Sequence, residues 1–148
     1  MALGATTYKT PNIINLIDSD MTSKEGCGVF LYGANEVKLA TAGGDRPYAV
    51  IVTGTDSLTP GTYPSLIGDA SLEMVDQLGC VVQVLISSAA GVVAGDFLLI
   101  DNTDADGTFT SVSNQPAAAV DFVWGMALTE ANSGEQCLMR FQPYLQQV

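Results

Sequence analysis

Histidine is absent from the 148 residues. Without an imidazole the chain has no His-dependent triad, no His ligand for zinc-hydrolase chemistry and no proton relay poised near neutral pH. Basic residues are nearly as scarce. Lys9, Lys24, Lys38, Arg46 and Arg140 stand against 16 acids, a formal net charge of −11. Binding to a nucleic-acid backbone needs clustered Lys and Arg that release counterions from phosphates, and no cluster exists here, so no nucleic-acid partner is expected. Charge of either sign is sparse. The charged fraction is 14%, well below the roughly 25% of an ordinary soluble domain.

Other absences narrow the field further. The three cysteines, Cys27, Cys80 and Cys137, are far apart. An odd number with no short spacing fits neither a disulfide framework nor a zinc site, so they read as small buried thiols in a reducing compartment. No apolar run approaches the ~18 to 20 residues that would span a bilayer. Met1 to Asn15 lacks a basic stretch followed by a continuous apolar one, so no secretory signal and no membrane partner are expected, with synthesis in a cytoplasm. The glycine pairs Gly91…Gly95 and Gly43-Gly44 lack the Gly-Lys-Ser/Thr ending of a phosphate loop and read as turns.

What remains for chemistry is carboxylates. The acids are scattered mostly through turns, where they read as solvated loop residues, so no catalytic residue and no cofactor is expected and the chain is read as a non-enzyme. The sharpest motif, Asn102-Thr103-Asp104-Ala105-Asp106-Gly107, imitates the start of an EF-hand loop, with oxygens at alternate positions and a glycine for the bend. The position of the closing bidentate Glu holds Ser113, and the flanks look like strands, so this is a polar turn and no metal ligands are assigned.

The residues present in quantity are those of a β-rich core: 47% are hydrophobic, enough for one compact domain. Residues 1–23 read as an N-terminal arm whose brief apolar patch, Ile13, Ile14, Leu16 and Ile17, is too short to pack alone. It is expected to lie on the domain or on a neighbour, or to be disordered in isolation. Residues 24–148 form the domain. Short runs rich in Val, Ile, Leu, Thr and Phe, punctuated by turn residues, predict strands at Val29–Tyr32, Glu36–Ala40, Ala49–Thr53, Val81–Ile86, Phe97–Ile100, Thr108–Val112, Asp121–Leu128 and Gln136–Phe141. Asp56 to Asp69, with Pro60-Gly61 and Pro64, predicts a loop. Ser71 to Leu78, with Leu72, Val75 and Leu78 at helical spacing and Ser71 as cap, predicts two helical turns. Trp124, flanked by Phe122 and Met126 at period two, is expected in the core or at a subunit contact rather than stacked on a ligand. A weak internal echo relates Glu36–Ala40 followed by Ala49–Gly54 to Thr108–Val112 followed by Val123–Leu128, as if two related halves made one barrel.

At Ala94-Gly95-Asp96-Phe97-Leu98-Leu99-Ile100 and at Gly125-Met126-Ala127-Leu128-Thr129-Glu130-Ala131-Asn132-Ser133-Gly134 the chain resembles small decoration, or cement, proteins of tailed-bacteriophage capsids. In that family an Ala-Gly-Asp turn enters a strand, and a Gly-x-Ala-Leu strand leads through a Glu-Ala and Gly turn into a last strand. The similarity covers roughly Cys80 to Phe141, with a fainter echo at Val37 to Gly54. The resemblance implies an all-β fold, a small β-barrel or β-tulip-like domain; the extended N-terminal arm matches no motif of that family and is read from the residues alone. It implies a homotrimer on the outer capsid surface that binds the major capsid protein and stabilises its contacts, with no catalytic residues to carry over. Ile13, Ile14, Leu16, Ile17 and Trp124 are the contact residues expected on that reading. A head-fibre or tail-associated module that binds carbohydrate or a receptor is the alternative, since a small all-β domain with one Trp and several Tyr can present a sugar platform.

Overall fold

The computed structural model describes residues 16–17, 24–32, 36–53, 73–104, 106–115 and 121–145. Among them there is no helix. Ten strands form two five-stranded sheets: β1 (Leu16–Ile17), β2 (Gly28–Tyr32), β3 (Glu36–Leu39), β4 (Ala49–Thr53) and β5 (Glu73–Val75) make sheet I in the order β1-β3-β2-β4-β5. Sheet II is β6 (Val81–Leu85), β7 (Phe97–Ile100), β8 (Phe109–Ser111), β9 (Phe122–Ala127) and β10 (Gln136–Leu145), in the order β6-β10-β9-β7-β8. The all-β expectation holds. The architecture is a pair of packed sheets. Sheet II curls until Ile86, just past β6, makes a single parallel bridge to Phe109 of β8, with no continuous ladder to close it into a barrel.

The internal echo corresponds to a repeated topology. β2, β3, β4 and β5 lie in the order β3-β2-β4-β5, and β7, β8, β9 and β10 in the order β8-β7-β9-β10. Every pairing within both sets is antiparallel. Only the fifth strand differs: β1 joins β3 in parallel, whereas β6 joins β10 antiparallel.

Period-two alternation sorts the side chains. Val82, Val84 and Ile86 from β6 and its end, Leu98 and Ile100 from β7, Phe109 from β8, Trp124 and Ala127 from β9, and Cys137, Met139 and Phe141 from β10 share one buried cluster with Ala40, Val50 and Val75 of the facing sheet. Sheet I is buried on its other face as well, where Val29, Val37, Ala49, Ile51 and Met74 form a second cluster. That is why β4 reads as a continuous Ala-Val-Ile-Val rather than as alternating apolar and polar residues.

The helical expectation for Ser71 to Leu78 is wrong. Residues 71–72 lie outside the described set, and Glu73–Val75 is a strand paired antiparallel with β4. The three-residue spacing of Leu72, Val75 and Leu78 suggested a helix, but Met74 and Val75 enter opposite clusters, which is strand periodicity. Pairing with a buried central strand outweighs so short a helical pattern. β10 runs four residues beyond the expected end at Phe141. Its register slips between Phe141 and Tyr144, which accommodates Pro143, a residue without a ladder donor. The expected loop at Asp56 to Asp69 lies outside the described residues, as do Ile13 and Ile14.

Trp124 sets the spacing between the sheets. The β7–β9 ladder steps from Leu98 opposite Gly125 to Leu99 opposite Val123, leaving Trp124 as the extra residue of a bulge. Its side chain is fully buried. It meets Phe109 edge-on at 5.4 Å between ring centroids and Phe141 at 6.3 Å. Facing it from sheet I is Gly28, where a β-carbon would lie 2.9 Å from the indole ring and 3.0 Å from Ile100 Cδ1. Of the roles open to Trp124, internal packing is the one the structure shows.

Two substitutions test this contact by urea unfolding. Trp124→Ala should cost about 3–5 kcal/mol through loss of a large buried ring, and Gly28→Ala about 1–3 kcal/mol through overpacking. Wild-type stability for both variants would show that the sheets are held apart by other contacts.

Candidate functional site

The EF-hand-like turn is the first place to look for chemistry, and its oxygens are already engaged. Asn102 Oδ1 accepts from the Gly43 amide at 2.7 Å. Asp104 Oδ2 accepts from the Thr108 hydroxyl at 2.7 Å, and Asp106 Oδ1 pairs with Lys24 Nζ at 3.3 Å. The alternate positions that would face an ion thus tie the turn to the 40–48 loop, to its own far side and to the approach to β2. Among the described residues no three Cys, Asp or Glu side chains converge as a metal site.

Two shallow depressions flank this region. One, of about 350 Å³, includes Asp101, Thr103, Asn114 and Gln115. Its polar atoms also face inward: Thr103 donates to Asp101 Oδ1 through both its amide and its hydroxyl, at 2.7 and 2.6 Å. Asn114 Nδ2 donates to the Gly91 carbonyl and Gln115 Nε2 to the Ile100 carbonyl, each at 3.0 Å. The other depression, of about 410 Å³, lies between Gly91–Val93 and the β9–β10 hairpin. There Glu135 Oε2 accepts from the Asn132 amide at 3.1 Å and from its side chain at 3.2 Å.

The buried titratable groups are structural as well. Burial pushes the thiols of Cys27 and Cys137 up to about 12, and it raises Cys80, with Asp76 adding to the effect. For Asp101 burial works toward a higher value. Interactions with the side chains of Ser87 and Thr103 and with the amides of Thr103 and Asp104 outweigh burial and hold the carboxyl below its ordinary 3.8. The Ser87 hydroxyl, itself buried, approaches without the geometry of a full hydrogen bond.

The distinctive surface is a sheet face. Because Val82, Met139, Ala127 and Leu98 point into the core, their chain neighbours Val81, Arg140, Met126 and Phe97 point outward. Register places these four in one row, Val81 opposite Arg140, Arg140 opposite Met126, Met126 opposite Phe97. Phe97 is 48% exposed and meets the 43% exposed Tyr144 edge-on at 6.3 Å. Leu78, 72% exposed, adjoins the same sheet, since the next amide, that of Gly79, bonds to the Phe141 carbonyl at 2.7 Å.

Of the residues singled out in the sequence, Trp124 lies inside the core, and the backbone of Leu16 and Ile17 pairs with Glu36 and Val37 at the edge of sheet I. Phe97, Tyr144 and Arg140 were missed as a group. The signal for Phe97 was ambiguous because the run Phe97–Ile100 reads as wholly buried, whereas only its last three residues are.

The fold and surface define a two-sheet, all-β module whose distinguishing feature is a face rather than a cleft. The two motifs that carry the resemblance to decoration proteins meet on it: the Gly95 amide donates to the Ala127 carbonyl and the Ala127 amide to the Asp96 carbonyl, each at 2.8 Å. No family model matches the chain, and no curated protein matches it. Among solved structures it is similar to the N base of the head fibre gp8.5 of bacteriophage phi29, with a TM-score of 0.56 and 20% identity over 86% of this chain and 89% of that one. At that identity the likeness is one of fold.

Two measurements check the electrostatics. At pH 8 Cys27 and Cys137 should resist a disulfide reagent in the native protein and react fully once it is unfolded, because the thiolate is the reactive form. Rapid native labelling of either would show a more accessible thiol. The depressed carboxyl of Asp101 contributes stability that is present above its unfolded value and lost as pH falls through the lower folded value. Asp101→Asn should therefore flatten the fall in melting temperature below about pH 4; an unchanged acid limb would assign that fall to other acids.

Proposed function

We propose that this chain is a non-enzymatic structural protein of a tailed-phage particle, one that binds the outer surface of the head through the major capsid protein and acts there as a homotrimer that cements capsid contacts. The observation that carries the reading is the agreement of fold, over nearly the whole length of both chains, with a head-fibre base of phage phi29. The Ala-Gly-Asp turn and the Gly-x-Ala-Leu strand, hydrogen-bonded to one another, support it from the sequence side. So does the depression at Asp101, where the side chains of Thr103, Asn114 and Gln115 bond back to the protein. Three linked copies convert individually weak surface contacts into firm attachment.

A base that anchors a head fibre is a second reading, favoured by the same structural neighbour. The two differ in what the particle loses. Removal of a cement protein lowers the resistance of filled heads to heat and osmotic shock, whereas removal of a fibre base leaves the heads as robust and takes the fibre with it.

In either case the chain should copurify with gradient-banded particles at a copy number that is a multiple of three. Absence from particles would refute both readings. The patch Ile13, Ile14, Leu16 and Ile17 is proposed as an anchor for the head or for a neighbouring subunit. Deleting residues 1–20 should leave the melting transition in place, since only the two-residue β1 is taken from the described sheets, and should weaken particle binding. Ile14→Asp with Ile17→Asp should mimic the deletion. Undiminished binding by the truncated protein would remove the anchor.

A further inference from the structure

The five strands of sheet II, β6 to β10, carry a single charged residue, Arg140, in a protein whose net charge is −11. The acids near this sheet, such as Asp76, Asp96, Glu130 and Glu135, all sit in the connecting turns. Two copies of so acidic a chain repel each other over most orientations. The open part of the outer face of sheet II, at Phe97, Arg140 and Tyr144, is where a second copy can approach without opposing carboxylate to carboxylate; Leu99 and Val123 on the same side are already buried. It also carries exposed apolar surface, from Phe97 and Tyr144, that is stabilised by burial.

From this we infer that the outer face of sheet II is the surface through which copies of this chain join, head to tail, with Arg140 taking an acidic turn of the next copy. The inference rests on the reading that copies act together, and it names the surface they use. The head-to-tail geometry follows from Arg140. It is exposed, makes no ion pair among the described residues and lies in a row with Val81, Met126 and Phe97. Covering an unpaired guanidinium with apolar surface is unfavourable. Stacking the face on itself about a two-fold axis would do that, because the face offers no acid in return. A contact that instead presents a turn supplies the carboxylate. Glu130, exposed on the β9–β10 hairpin and without a hydrogen-bond partner among the described residues, is assigned that part. Contacts between unlike surfaces close into rings when the rotation allows, and a trimer is one such ring.

Sedimentation of the full chain tests this, with melting curves run alongside to confirm folding. Wild type should sediment as a trimer, Arg140→Glu and Phe97→Asp as folded monomers of 15.4 kDa, and Arg140→Glu combined with Glu130→Arg should recover the trimer. Variants that stay trimeric would overturn the inference, as would a double variant that stays monomeric, since the head-to-tail pairing would then be wrong. A wild type that is monomeric both free and on particles would overturn it too. Variants that stay trimeric but no longer bind particles would assign the face to the capsid instead, leaving the virion reading intact. Failure of wild type to bind particles would sink that reading without touching the test of association.

Discussion

The contact between the Trp124 indole and the bare backbone of Gly28 is the constraint on which the two-sheet arrangement depends. A ring of that size fits between closely packed sheets only if the strand opposite gives up its side chain, and Gly28 does. The backbone on either side then bridges both sheets. Gly26 donates to Ile51 of sheet I at 2.8 Å and accepts from Leu85 of sheet II at 2.9 Å, while the Gly28 amide bonds to the Gly107 carbonyl at 2.8 Å. Gly26 holds φ at 87°, a conformation that L side chains rarely adopt, and a β-carbon there would lie 2.8 Å from the Leu85 nitrogen. Three residues of chain thus serve as a seam between the sheets, and the aromatic cluster of Phe109, Trp124 and Phe141 packs against it.

The polar turns complete that seam. Gly43 donates to Asn102 and accepts from the Phe122 amide at 2.7 Å, so the 40–48 loop of sheet I is fastened to two separate segments of sheet II. Buried or half-buried polar groups are tolerated when they are paired in this way. The same arrangement explains why an ion-binding sequence pattern can occur without an ion site: alternate oxygens in a tight turn serve amide, hydroxyl and ammonium donors as readily as a cation.

Strands were legible wherever β-branched runs met clear turn residues. Phe97–Ile100 and Ala49–Thr53 have the expected limits, Val81–Leu85 stops one residue early, and Phe122–Ala127 is one residue shorter at each end. Glu73–Val75 was not legible, because three residues carry too little periodicity and its partner strand decides its conformation. The end of β10 was hidden by Pro143, which reads as a breaker until the bulge beside it is seen. Nor did the sequence separate the two faces of sheet II: apolar residues at Leu98 and Phe97 look alike in composition, and only pairing shows that one is inside and the other at the surface. The strand and turn pattern pointed to the all-β class; the resemblance to capsid decoration proteins added a barrel, which the sheets do not close, and singled out the two motifs that the structure joins.

The borders of the sheets have a consequence for life at high density. An open strand edge invites another chain to extend the ladder, a route to uncontrolled aggregation. Here β1, β5 and β8 are only two or three residues long. The outer side of β6 is occupied by Gly26 at Leu85 and by Phe109 at Ile86. Sheet II has therefore little edge left for a strand to add to, and neighbours must meet it through side chains. Such a module can be crowded side by side on a lattice without its backbones fusing into a continuous fibre.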